Sequence, residues 1–172
     1  MPRGVRRRGK SVRADLILPG EFSPPMASVV STLTTTQIAA LATTTVAAWV
    51  SADIQALTAP DMAVLTTTQI DVLSSTQLSW LTSTQLQAIT TTDIAELSIT
   101  QLPGLSSTQL AQLTTTQIGA LTTTQLGALS TSQAGGLTST DLGQLTTTQL
   151  GAMTATDVGA LKTTAPEWAH NY

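Results

Sequence analysis

The chain has 172 residues, a formal net charge of −3, 10% charged and 3% aromatic residues, and no cysteine. That length suits one ordinary domain, and the missing thiols exclude a disulfide framework and a thiolate metal site. No apolar run is long enough for a membrane-spanning helix.

Charge is segregated along the chain. Residues 1–25 hold six of the seven basic residues and two acidic ones, whereas the remainder carries Lys162 against eight acidic residues. Arg6, Arg7, Arg8, Lys10 and Arg13 form a basic cluster of the kind that contacts nucleic acid or another polyanion. A single exposed patch is thin for phosphate binding, so the favoured reading is a basic arm, disordered or upstream of a true start at Met26. Only Leu16-Ile17-Leu18 follows the arginines before Pro19, too short for the apolar region of a secretory signal. The expected setting is therefore cytoplasmic, or exported by a signal-less route.

From residue 26 the composition changes, and from Leu33 a period of eight is unmistakable. Leu33, Leu41, Trp49, Leu57, Leu65, Leu73, Leu81, Ile89 and Leu97 begin one apolar row, which continues to Leu161. A second row sits five residues after each member, as in Ile38, Val46, Ile54, Met62 and Ile70. The unit reads L-T-T-T-Q-[IL]-x-x, and sixteen units between Leu33 and Ala160 keep both rows. Spacings of five and three break the alternation a strand needs. One continuous helix fails too, because eight residues overshoot two turns by about 80° and the stripe would wind around it. The chain must reset once per unit.

The Thr–Gln pair supplies the reset. With Thr66 as N-cap, its hydroxyl accepts from the N–H of Gln69 while the Gln69 side chain reaches back to the cap N–H, a capping box. Leu65 and Ile70 then form the accompanying hydrophobic staple. Where glutamine is replaced, Asp53, Asp61, Asp93, Asp141 and Asp157 place a carboxylate at the positive helix end. Pro60 falls in a first turn, where proline is tolerated. Pro103 lies beyond it and predicts a distorted unit at Leu97. Each helix is expected to span about six or seven residues, too short to stand alone, so the units must stack. The expected fold is an all-α solenoid of short capped helices over residues 26–160, closed by a cap or tail at 161–172. The rival is a β-solenoid with sixteen residues per coil.

Little of this is reactive. The one histidine, His170, lies in the tail, and no second imidazole or thiol completes a metal cluster. No paired carboxylates, calcium loop or phosphate-binding glycine loop is present, so no catalytic, metal or cofactor residue is assigned and an enzyme is the least favoured class. Gly119, Gly127, Gly135, Gly143, Gly151 and Gly159 recur at eight and are expected to permit close approach between units or molecules. The threonines form hydroxyl ladders, explained by capping and solvation, with ice or glycan binding ranked well below. Val64, Val72 and Trp80 occupy the last position of consecutive units. They form either a locally thicker core or, with Trp168 and Tyr172 of the tail, candidate contacts between protomers.

The L-T-T-T-Q-[IL]-x-x unit resembles octapeptide tracts in large bacterial surface or secreted proteins of adhesin-like type. The resemblance covers residues 33–160, implies a bacterial structural protein, and carries no catalytic residue. Near-identical stacked units with open ends point first to self-association into a filament or scaffold. The second reading is a monomeric module binding a partner protein or a surface polymer.

Overall fold

The computed structural model describes residues 29–162. The basic cluster at residues 6–13 and the tail residues Trp168, His170 and Tyr172 lie outside them. Among the described residues there are fifteen α-helices of four to eight residues, two 3-10 turns at Val29–Thr32 and Leu102–Gly104, and no strand. The solenoid is all-α, and the β-solenoid alternative is excluded.

Most units begin as the capping residues dictate. At Thr114 the backbone is extended (φ −68°, ψ 154°), its hydroxyl accepts from the Gln117 N–H, and the Gln117 side chain accepts from the Thr114 N–H. The same reciprocal pair recurs from Thr34 to Thr146 in the other Thr/Ser–Gln units, except at Ser98, where the Gln101 N–H bonds the Ser98 backbone carbonyl instead. Ala42 has no side chain to cap with, and Val50 keeps only the half of the box that Asp53 supplies. Most of the helices are shorter than six residues, commonly five, as in Thr115–Gly119. The last turn tightens, so that the N–H of Leu121 bonds the carbonyl of Ile118 before the chain turns into the next unit.

Helices contact partners three units on: Ala59–Ala63 packs against Ser83–Ala88, and Thr123–Gly127 against Thr147–Ala152. Side-chain bonds between turns reach 28 to 31 residues back. One superhelical turn therefore takes between three and four units. Both apolar rows point inward and merge into one continuous core. The second row is sealed from Ile38 through Ala134, then opens at the C-terminal end, where Leu150 is 37% and Val158 39% exposed. The first row is the looser one at the other end, with Leu33 and Leu41 half-buried.

Pro103 has the predicted effect. Its unit holds only the 3-10 turn Leu102–Gly104, because the proline nitrogen has no proton to bond the fourth carbonyl back and its ring crowds that group. The glycines behave differently from expectation. Of the row at eight-residue spacing, Gly127 approaches a neighbouring backbone, with an added Cβ 3.0 Å from the Ala152 carbonyl oxygen, while Gly151 and Gly159 face open space. Close approach is concentrated one position later, at Gly104 and Gly136, where a Cβ would overlap the carbonyl oxygens of Ser75 and Ser107. Those two lie in the units weakened by Pro103 and by the small Ala134, where the backbone sinks inward.

Opposite outcomes are expected for two Gly→Ala changes, read by thermal melts. Gly136→Ala destabilises, because a backbone carbonyl must move. Gly151→Ala raises stability by up to about 1 kcal/mol, the helix-propensity difference between the two residues.

Candidate functional site

Glutamine at the fifth position of the unit does more than cap its own helix. Its side chain is buried, 2% exposed at Gln69, Gln117 and Gln125. Burial of a primary amide is tolerable only if its donors and acceptors are occupied. At Gln117 all four are. Oε1 accepts from the Thr114 N–H at 2.9 Å and from the Thr114 hydroxyl at 3.1 Å. Nε2 donates to the carbonyl of Leu86 at 2.8 Å and of Ile89 at 2.7 Å. The amide orientation is fixed by this chemistry, since the cap presents an N–H and the turn below presents only carbonyls.

Those carbonyls belong to the end of a helix and the start of the next unit, one superhelical turn earlier. The Ile118 and Leu121 pair illustrates why they need a partner: Ile118 already accepts from Leu121, but the carbonyl of Leu121 depends on the Gln149 amide, at 2.7 Å. The pattern repeats with the same two separations at Gln69, Gln77, Gln85, Gln101, Gln109, Gln125 and Gln133. Gln101 keeps its bonds to Ile70 and Leu73 even though its own unit has lost its α-helix. The amides form a ladder that ties each turn to the one before it, and no buried side-chain polar atom among the described residues lacks a partner.

Aspartate breaks the ladder while keeping the cap. Asp141 accepts from the Thr138 N–H and hydroxyl at 2.9 and 2.7 Å, but a carboxylate has no proton to offer the turn below. Asp93 finds a different tie: its Oδ1 accepts from the Thr67 hydroxyl, 26 residues back, at 2.7 Å, so donor and acceptor change places between turns.

The residues marked out by sequence fall apart from this ladder. Val64, Val72 and Trp80 are half-buried and pack on the core together with Ala56 and Ala88, which joins them to the folding core while leaving part of each side chain accessible. The inter-turn role of glutamine was missed. The signal available was the regularity of Gln itself, which capping alone does not demand, because Asp or Glu would serve there equally.

No group of three or more His, Asp or Glu side chains that could hold a metal ion occurs among the described residues. No helix of the described residues is long and apolar enough to cross a membrane. Two shallow grooves lie beside the Pro103 and Ala134 units. The larger, ≈ 480 Å³, is lined by Ser107, Thr108, Thr131, Ser132 and small residues, so it presents hydroxyls and no acid–base pair.

Comparison with known families falls on this same tract. Residues 86–123 and 107–139 match the ALTTAQ repeat. The matched stretch contains Gln101, Gln109, Gln117, Gln125 and Gln133, so five of the ladder glutamines fall within it, while Gln69, Gln77, Gln85 and Gln149 lie outside. No curated protein and no solved structure matches the chain.

Two substitutions separate capping from laddering. Gln117→Glu preserves the cap acceptor and removes the inter-turn donor; it should lower stability by roughly 2–4 kcal/mol, two lost bonds plus a buried charge facing carbonyls. Asp141→Gln supplies the missing donor opposite Leu110 and Leu113 and should raise stability by about 1 kcal/mol. Chemical denaturation of both variants reads the difference.

Proposed function

We propose that this repeat protein is structural rather than catalytic, and that its solenoid associates end to end into a filament or scaffold. The observation that carries the reading is the mismatch between the interior of the stack and its ends. Leu150 and Val158 are 37% and 39% exposed, while Ile118 and Leu126, which hold the same position in earlier units, are 0% exposed. The difference is the turn that covers the earlier pair. At the opposite end Leu33 and Leu41 are half-buried and the Gln37 side chain is exposed. The N-terminal face thus carries the features that cover a turn, and the C-terminal face those that are covered. Such a contact does not close on itself, and repeated it gives a fibre. Aspartate at Asp53 and Asp61 does not forbid it, because Asp93, Asp141 and Asp157 occupy the same position in units that do stack. A bacterial surface or secreted setting belongs to this proposal through the resemblance of the octapeptide tract.

The alternative is a monomeric binding module. It draws on the accessible parts of Val64, Val72 and Trp80 and on the threonine-rich outer surface, which suit a partner protein or an uncharged surface polymer.

Negative-stain electron microscopy and sedimentation of the full chain across concentration test the choice. Expected are rods one solenoid wide that lengthen with concentration, and their loss in the doubly substituted chain Leu150→Asp, Val158→Asp. Monomeric mass and small separate particles at every concentration would remove the assembly reading in favour of the binding module.

A further inference from the structure

The two ends of the described stack are tied unequally. We propose that residues 137–162, its last superhelical turn, open and close on the rest of the solenoid as one unit hinged at Gly135–Gly136, while the first turn stays shut. Such a hinge operates within a single chain and does not depend on assembly.

Three ladder amides in succession hold the first turn from above. Gln69 donates to the carbonyls of Ile38 and Leu41, Gln77 to those of Val46 and Trp49, and Gln85 to those of Ile54 and Leu57. Five more, from Gln101 to Gln133, fasten the middle of the stack. The last turn contributes one, Gln149, bonded to Gly119 and Leu121. Its other two units carry Asp141 and Asp157, whose carboxylates accept from their own caps. The ladder separations of 28 and 31 residues set these units over the carbonyls of Leu110 with Leu113 and Leu126 with Leu129. No side chain among the described residues donates to either pair.

Apolar contact is thinner there as well. In the second row Leu142 is half-buried, and Leu150 and Val158 are 37% and 39% exposed, against 0% for Ile38, Val46 and Ile54 of the first turn. Gly151 and Gly159 lower helix propensity, with nothing within 4 Å of where a Cβ would stand. The boundary coincides with the single Gly-Gly step of the chain, where the backbone has most rotational freedom. The seat of Gly136 on the Ser107 backbone fixes the point about which the turn swings. Beside it lies the groove of ≈ 480 Å³, lined by Ser107 and Ser132 of the stack and by Ala160 of the last helix.

A weakly tied segment beyond a permissive joint opens below the global unfolding step. Opening uncovers the helices Thr115–Gly119, Thr123–Gly127 and Thr131–Ala134, against which the last turn packs, and with them the sealed side chains of Ile118 and Leu126. The last turn is thus a removable cover over an apolar shelf.

Amide hydrogen exchange of the full chain reads the opening. It is followed by mass spectrometry through a denaturant series, at a dilution where sedimentation gives the mass of one chain. The amides of Leu142, Leu145, Leu150 and Met153 are hydrogen-bonded within the last turn. They should exchange in one shared step, about tenfold or more faster than those of Ile38, Leu41 and Val46. The change in protection should fall between Ala134 and Leu142. The double variant Asp141→Gln, Asp157→Gln supplies the donors; it should slow that step about tenfold or more and leave the first turn unchanged. A first turn that exchanges as fast as the last, protection graded along residues 137–162 with no shared step, a boundary elsewhere, or a double variant that leaves the step unchanged would each overturn the hinge.

Discussion

A primary amide has two donors and two acceptor sites, and the fold depends on using all four at once. The Gln117 oxygen closes the start of its own helix, and its nitrogen closes the end of a helix one turn away. Glutamate could do the first and not the second; asparagine lacks the reach; leucine could do neither. Glutamine is thus the one residue type that does both at this position, and the chain supplies it in most units. The helices themselves are too short to persist in isolation. The two apolar rows provide the driving force for burial, but apolar contact alone does not fix which unit lies over which. The amide does, because it finds both carbonyls at separations of 28 and 31 residues, or 28 and 30 at Gln149.

The Pro103 unit separates these contributions. There the α-helix is gone, yet the amide of Gln101 reaches the same two carbonyl positions as its neighbours. Superhelical register is thus held by the ladder and the rows together, and helix is the conformation that regular units adopt between the tie points. The close approach of Gly104 to Ser75 is what the backbone does when the helix no longer holds it outward.

Much of this could be read from the residues. The eight-residue period, the capping box, the staple and the Pro103 distortion all follow from interactions within a dozen residues, and local chemistry is what a single sequence displays. The ladder and the number of units per turn were not legible, because they depend on which residues meet some thirty positions apart. Gly151 shows the same limit: its spacing matches Gly127, but only Gly127 has a backbone nearby. Whether a repeated glycine is a contact or merely a weak helix residue is decided by the turn above it. At Val64, Val72 and Trp80 the period correctly identified a shared stripe, but not how deeply it sits.

One property of the ladder bears on how such a chain is made. In every bond of the ladder the donor lies C-terminal to its acceptors, by 28 to 31 residues; Gln87, which is not a ladder residue, donates the other way, to the Gln112 carbonyl. During synthesis from the N-terminus, the carbonyls are therefore in place before the glutamine that needs them emerges. Each new unit can settle on a finished turn and leave a finished turn for its successor. Loop closure costs the same at each step, so adding units lengthens the protein without making any single folding step harder.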